Sequence, residues 1–174
     1  MLNGSFFTDE NIFHSTTEMS FPVKGAGALV SRGKEYQSTL NKWVLKIDGS
    51  EARIQPYTLR TSDFDAVSRA LADARLAVVG QTRYLGSADA AKRTFAGIRD
   101  LNGDGKAEVV VFLVSTRATA DEMNSVLDGS FAVKQAMAFD GGDSSQLQCI
   151  NGSKVLAEKA PRSVPQVFEV FKAP

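Results

Sequence analysis

Two carboxylates, two glycines and two hydroxyls stand side by side in Asp140-Gly141-Gly142-Asp143-Ser144-Ser145. They follow an apolar run, Ala136-Met137-Ala138-Phe139, which reads as the end of a buried strand. A carboxylate at that point is held rigidly by the scaffold beneath it. Gly141 and Gly142 lack Cβ, so the chain can turn sharply and bring its amides close to a ligand. Successive N–H groups in such a turn form a concavity suited to anions. This set of groups fits chemistry on an anionic, hydroxyl-rich substrate. It equally fits a β-turn whose Asp and Ser side chains bond their own backbone.

Three other stretches carry reactive types. Asn3-Gly4-Ser5, flanked by Leu2 and Phe6-Phe7, is turn chemistry in which the Asn3 amide either faces a ligand or caps the bend. Asp100, Asn102 and Asp104 fall in a D-x-N-x-D-G pattern, the first half of an EF-hand loop, which makes them candidate Ca²⁺ ligands. The twelfth position, where a bidentate Glu belongs, is Val111. The pattern occurs once, so it also reads as a polar hairpin turn. The only histidine, His14, lies in a polar stretch over 8–22, where a solvated ring is the commoner outcome than a catalytic one.

Composition narrows the classes. The chain has 174 residues with 20 Lys plus Arg against 20 Asp plus Glu, so no basic excess exists to hold a nucleic-acid backbone by counterion release. No apolar run approaches membrane-spanning length. Cys149 is the sole cysteine, which excludes an intrachain disulfide and argues against a Cys-based zinc site. The chain opens on what looks like the end of a strand, so it is expected to be a fragment of something longer, and a missing signal peptide carries no information.

The elements that must position these groups can be read from periodicity. Short apolar runs at Ala28–Val30, Trp43–Ile47, Ala52–Gln55, Leu76–Gly80, Arg93–Ile98, Glu108–Val114, Leu147–Ile150 and Val167–Phe171 predict strands. Asp48-Gly49 between two of them predicts a hairpin. Phe64, Val67, Leu71 and Ala74 recur at helical spacing and predict a helix over 62–74 with Ser62 as N-cap. Thr119-Ala120-Asp121-Glu122 is a capping box for a second helix through about Leu127, ended by Asp128-Gly129. The predicted fold class is α+β, a largely antiparallel or mixed β-sheet with two packed helices in one domain over 1–174.

Three motifs then stand in a recognisable order. Asn3-Gly4-Ser5-Phe6-Phe7 resembles N-G-G-F-F, Arg93-Thr94-Phe95-Ala96-Gly97-Ile98 resembles R-T-A-x-G-I, and Ala136 through Ser145 resembles A-L-N-L-D-G-G-G-S-S. Together they resemble the phosphodiester glycosidase family over nearly the whole chain, with Arg162 and Val164 agreeing as a minor feature. Ser5 stands where glycine is usual, and Asp143 replaces the third glycine of the late motif. An added carboxylate there either repels a phosphate or supplies a metal ligand.

The resemblance implies a glycoside hydrolase that cleaves a sugar-1-phosphodiester at the anomeric carbon, with a carbohydrate or glycan-phosphate substrate and no required cofactor. A phosphate monoester is a good leaving group, so catalysis can lean on electrostatic stabilisation of it and of the oxocarbenium-like sugar. The implied catalytic residues are Asp140 as the key carboxylate, Arg93 as a phosphate clamp, and Asn3 as the group that bonds a sugar hydroxyl or orients Asp140. The implied substrate-binding residues are Gly4, Thr94, Gly141, Gly142, Asp143, Ser144 and Ser145. The resemblance also favours an extracytoplasmic or secreted setting. Two other classes stay open: a non-catalytic glycan or cell-wall binding module, and a Ca²⁺-dependent interaction module built on 100–108. Nothing in the sequence signals an oligomeric state.

Overall fold

The computed structural model describes residues 2–4, 7–8, 18–34, 41–59, 63–83, 88–151, 154–158 and 167–169. In chain order the strands are β1 (Leu2–Asn3), β2 (Phe7–Thr8), β3 (Glu18–Met19), β4 (Val23–Gly25), β5 (Ala28–Ser31), β6 (Lys42–Asp48) and β7 (Glu51–Pro56). Then follow β8 (Leu76–Thr82), β9 (Ala91–Arg99), β10 (Val109–Ala118), β11 (Gln135–Ala138), β12 (Leu147–Asn151), β13 (Lys154–Glu158) and β14 (Val167–Phe168). Helix α1 (Phe64–Ala70) lies between β7 and β8, and α2 (Ala120–Phe131) between β10 and β11. Every strand pairing among the described residues is antiparallel. The α+β class read from the sequence is therefore the class observed.

The main sheet is a run β10-β9-β11-β8-β6-β7, with β4 and β5 continuing from the edge of β8 that β11 leaves open. Its two ends meet. Ala52 in β7 bridges Ala107 just ahead of β10, and the Ala52 amide donates to the Ala107 carbonyl at 2.8 Å. Alternation along each strand sends one set of side chains to a shared interior: Leu45, Ile54, Val78, Ala96, Ile98, Met137 and Phe139 are all buried there. The opposite set faces outward against the helices. Val44, Ala77 and Val79 pack on Val67 of α1 and on Leu71 and Ala74 beyond it, while Phe95, Ala136 and Ala138 pack on Ala120, Met123 and Leu127 of α2. Each fully buried Leu, Val or Phe contributes about 1.5–3 kcal/mol. A smaller sheet, β13-β12-β1-β14, is tied to this core by Phe168, whose ring lies 4.9 Å from that of Phe112 and 5.3 Å from that of Phe139.

Both helices differ from expectation at an end. Helix α1 is capped by Asp63, not Ser62: the Asp63 carboxylate accepts from the Ala66 amide at 2.9 Å. It stops at Ala70 rather than 74, because lysines from the sheet collect its last carbonyls. Lys46 Nζ donates to Ala70 O at 2.6 Å, and Lys24 Nζ donates to Leu71 O at 2.7 Å and Ala72 O at 3.1 Å. Helix α2 has the expected capping box between Thr119 and Glu122. It runs through Asp128-Gly129 to Phe131 and ends where Ala132 turns left-handed at φ 51°. An interior glycine costs a helix only about 1 kcal/mol, too little to end it while Leu127 is fully buried. The Asp48-Gly49 hairpin forms as read, with Asp48 opposite Glu51. No described helix is long and apolar enough to cross a membrane.

Candidate functional site

Strand β11 pairs with β9 up to Ala138 opposite Phe95. The Phe139 amide extends that ladder by donating to Thr94 O at 2.9 Å. One further step in the same register sets Asp140 across from Arg93. The Asp140 amide leaves β9 and donates instead to Gly4 O at 3.3 Å, which draws the end of β1 to the same place. The chain then turns. The Gly141 amide donates to Asp140 Oδ1 at 3.1 Å, and Gly142 adopts φ +58°. A single 3-10 turn over Gly142–Ser144 follows, closed by Ser144 N to Gly141 O at 3.2 Å and Ser145 N to Gly142 O at 3.1 Å. A Cβ on Gly141 would stand 3.1 Å from the Lys92 carbonyl oxygen, a tight contact that makes glycine the residue best suited to the close passage of the turn over β9.

Exposure divides the turn. Asp140 and Gly141 are half-buried, and Gly142 and Asp143 are exposed. Ser144 and Ser145 are buried, as is Thr94, whose hydroxyl donates to Ser145 Oγ at 3.1 Å. Arg93 is half-buried, and strand alternation puts it on the face that carries Phe95. Its Nε donates to Ala118 O at 3.3 Å and its Nη2 to Asp89 O at 2.8 Å. Two backbone carbonyls thus fix the orientation of the guanidinium plane.

Of the residues singled out in the sequence, Gly4, Arg93, Thr94, Asp140, Gly141, Gly142, Asp143, Ser144 and Ser145 fall in this one region. Asn3 is the neighbour of Gly4 in β1, where its backbone pairs with Val167. Ser5, His14, Ser62, Arg162 and Val164 lie outside the described residues. Gly80 has a role that its reading as a strand-ending glycine did not include. It sits inside β8, and a Cβ there would stand 2.5 Å from Ala138 O and 3.2 Å from the Phe139 ring. The absent side chain lets β11 approach β8 immediately before Asp140. An isolated glycine inside a strand pattern is the signal for such a close approach.

The acidic turn lies at the opposite end of β9. Asp100 Oδ1 accepts from the Gly103 amide at 2.6 Å and Oδ2 from the Gly105 amide at 2.9 Å. Asn102 Oδ1 accepts from the Asp104 amide at 2.9 Å, and Asp104 Oδ1 from the Lys106 amide at 2.8 Å. The Gly105 amide, followed by that of Gly103 and the charge of Lys134, holds the Asp100 carboxyl below its ordinary range. Carboxylate oxygens of Asp100, Asp104 and Glu108 lie within 4.8 Å of one another. Glu108 thus joins the acidic group, while the Asn102 side chain is engaged with Asp104.

With this geometry in hand, comparison with known proteins gives one family. A model described as NAGPA, phosphodiester glycosidase, matches residues 2–171. A search among curated proteins returns no match.

Proposed function

We propose that this chain, which belongs to the phosphodiester glycosidase family, hydrolyses a sugar-1-phosphodiester at the anomeric carbon. The observation that carries the proposal is the meeting of three distant segments through two backbone bonds, Asp140 N to Gly4 O and Phe139 N to Thr94 O. A hydrolytic site needs a carboxylate at a fixed place, a cation for the leaving phosphate and an opening for water. The half-buried carboxylate of Asp140, the oriented guanidinium of Arg93 and the exposed Gly142-Asp143 edge supply these.

In the proposed reaction the C1–O bond to phosphate breaks and its electron pair leaves on the phosphate oxygen. Arg93 stabilises that charge. Water adds to C1 and gives up a proton to Asp140, or the carboxylate stabilises the oxocarbenium-like sugar directly. Asn3 bonds a sugar hydroxyl or orients Asp140, Gly141 and Gly142 bring the backbone close to the phosphate, and Asp143 supplies a second carboxylate at the exposed rim. The buried Thr94, Ser144 and Ser145 act from beneath. The products are a free sugar and a phosphomonoester.

A panel of sugar-1-phosphodiesters tests this on the wild type, Asp140→Asn and Arg93→Ala. Turnover by the wild type, lost in both variants, is the expected result. Binding of the same compounds with no turnover would favour a glycan-binding module. A Ca²⁺-induced rise in melting temperature, absent in Asp104→Ala, would bring the 100–108 turn forward as a ligand-binding element.

A further inference from the structure

One residue grips the catalytic turn at both of its ends. The Thr94 carbonyl accepts from the Phe139 amide at 2.9 Å, where β11 gives way to the turn. The Thr94 hydroxyl donates to Ser145 Oγ at 3.1 Å, where the turn closes. Both side chains are inside the protein, Thr94 at 1% and Ser145 at 0% exposure. Between these anchors the chain passes through Gly141 and Gly142, the residues with least resistance to backbone rotation. Asp143 and Gly142 are open to water. A segment so soft in its middle is kept in one shape by what holds its ends.

We propose that Thr94 is a positioning residue: by clamping Phe139 and Ser145 together it sets the direction of the Asp140 carboxylate. This rests on the reading of Asp140 as the reacting carboxylate. A buried hydroxyl pair is costly to break, since deleting one partner leaves the other desolvated. Thr94→Val keeps the shape of the side chain and removes the donor. Thr94→Ser keeps the hydroxyl. Ser145→Ala removes the acceptor from the other side. In all three the backbone bond from Phe139 remains, so the strands stay paired; only Thr94→Val and Ser145→Ala release the far end of the turn.

Two measurements on the full chain test the clamp. Amide hydrogen exchange over 139–145 is expected to quicken at least about tenfold in Thr94→Val and Ser145→Ala. The β9–β10 amides are expected to hold their wild-type protection, and Thr94→Ser to match the wild type throughout. On a phosphodiester that the wild type turns over, kcat is expected to fall about 10- to 100-fold in Thr94→Val, with KM within about twofold and recovery in Thr94→Ser. Wild-type exchange in both Thr94→Val and Ser145→Ala overturns the clamp. Faster exchange with unchanged kcat overturns its role in positioning. A wild type that cleaves none of the phosphodiesters sinks the hydrolase reading and the catalytic half of this proposal, and the exchange comparison then decides the mechanical half alone. Should Thr94→Val fail to fold, Ser145→Ala against Thr94→Ser carries the same comparison.

Discussion

The amide of Asp140 donates to the carbonyl of Gly4 across 3.3 Å. Residues separated by most of the chain are joined at the one point where a strand end, a glycine turn and a carboxylate coincide. The contact uses backbone atoms alone, so substitutions at the Asp140 side chain can probe chemistry without undoing it.

Asp140→Asn retains an Oδ1 for the Gly141 amide, which the carboxylate holds at 3.1 Å. The variant is expected to fold as the wild type does and to lose about 10²–10⁴-fold in kcat, the usual contribution of a positioned acid or base. Steady-state rates measured beside a melting curve check this. A fall in melting temperature that accounts for the lost rate would contradict it.

Gly80→Ala would press a methyl against Ala138 O, 2.5 Å from the ideal Cβ position. That oxygen is backbone and cannot step aside cheaply. The expected cost is about 1–3 kcal/mol in a urea titration, with a loss of kcat if the turn that β11 leads into acts as proposed. Gly129→Ala is the opposite case. It lies inside α2 with nothing within 4 Å of its Cβ position, and is expected to stabilise by about 0.5–1 kcal/mol.

Lys46 is buried and donates to Ala70 O at 2.6 Å and to Asp73 Oδ1 at 2.7 Å. Lys46→Met keeps the apolar stem and strips both bonds, leaving the end of α1 without that donor. A loss of about 1–3 kcal/mol is expected, mostly from the carbonyl, because the half-exposed Asp73 is well screened. A variant as stable as the wild type would show the cap to be dispensable.

Acid should expose two carboxylates. The hydrogen bond from Lys46 holds the Asp73 carboxyl below its ordinary range, and the Gly105 amide does the same for Asp100. A depressed folded pKa contributes stability that is complete above the unfolded value of about 3.9 and vanishes as pH falls through the folded value. Wild-type stability should therefore decline below about pH 4. Asp100→Asn and Lys46→Met should each flatten that decline. Parallel acid limbs for wild type and both variants would refute the assignment.

Much of this architecture was legible as pattern. The Asp48-Gly49 hairpin and the capping box at Thr119 are local, and local chemistry decides them. The end of α1 was not legible, because it is set by Lys24 and Lys46 arriving from strands distant in sequence. Helix α2 passes through Asp128-Gly129 because the burial of Leu127 outweighs a modest propensity cost. The candidate site divides the same way. The Asp-Gly-Gly turn announced itself by residue type, but the burial of Thr94, Ser144 and Ser145 depends on β9 lying beneath it. Sequence spacing has no means of separating a hydroxyl under the turn from one above it.

The bridge between Ala52 and Ala107 has a meaning beyond the core it encloses. An open strand flank offers unpaired amides to any neighbouring molecule and invites sheet-to-sheet growth. The bond from the Ala52 amide to Ala107 O occupies one position of that flank from within the same chain. A proline at position 52, which cannot donate there, should reveal itself first as clumping in concentrated solution, well before any change at the distant carboxylate.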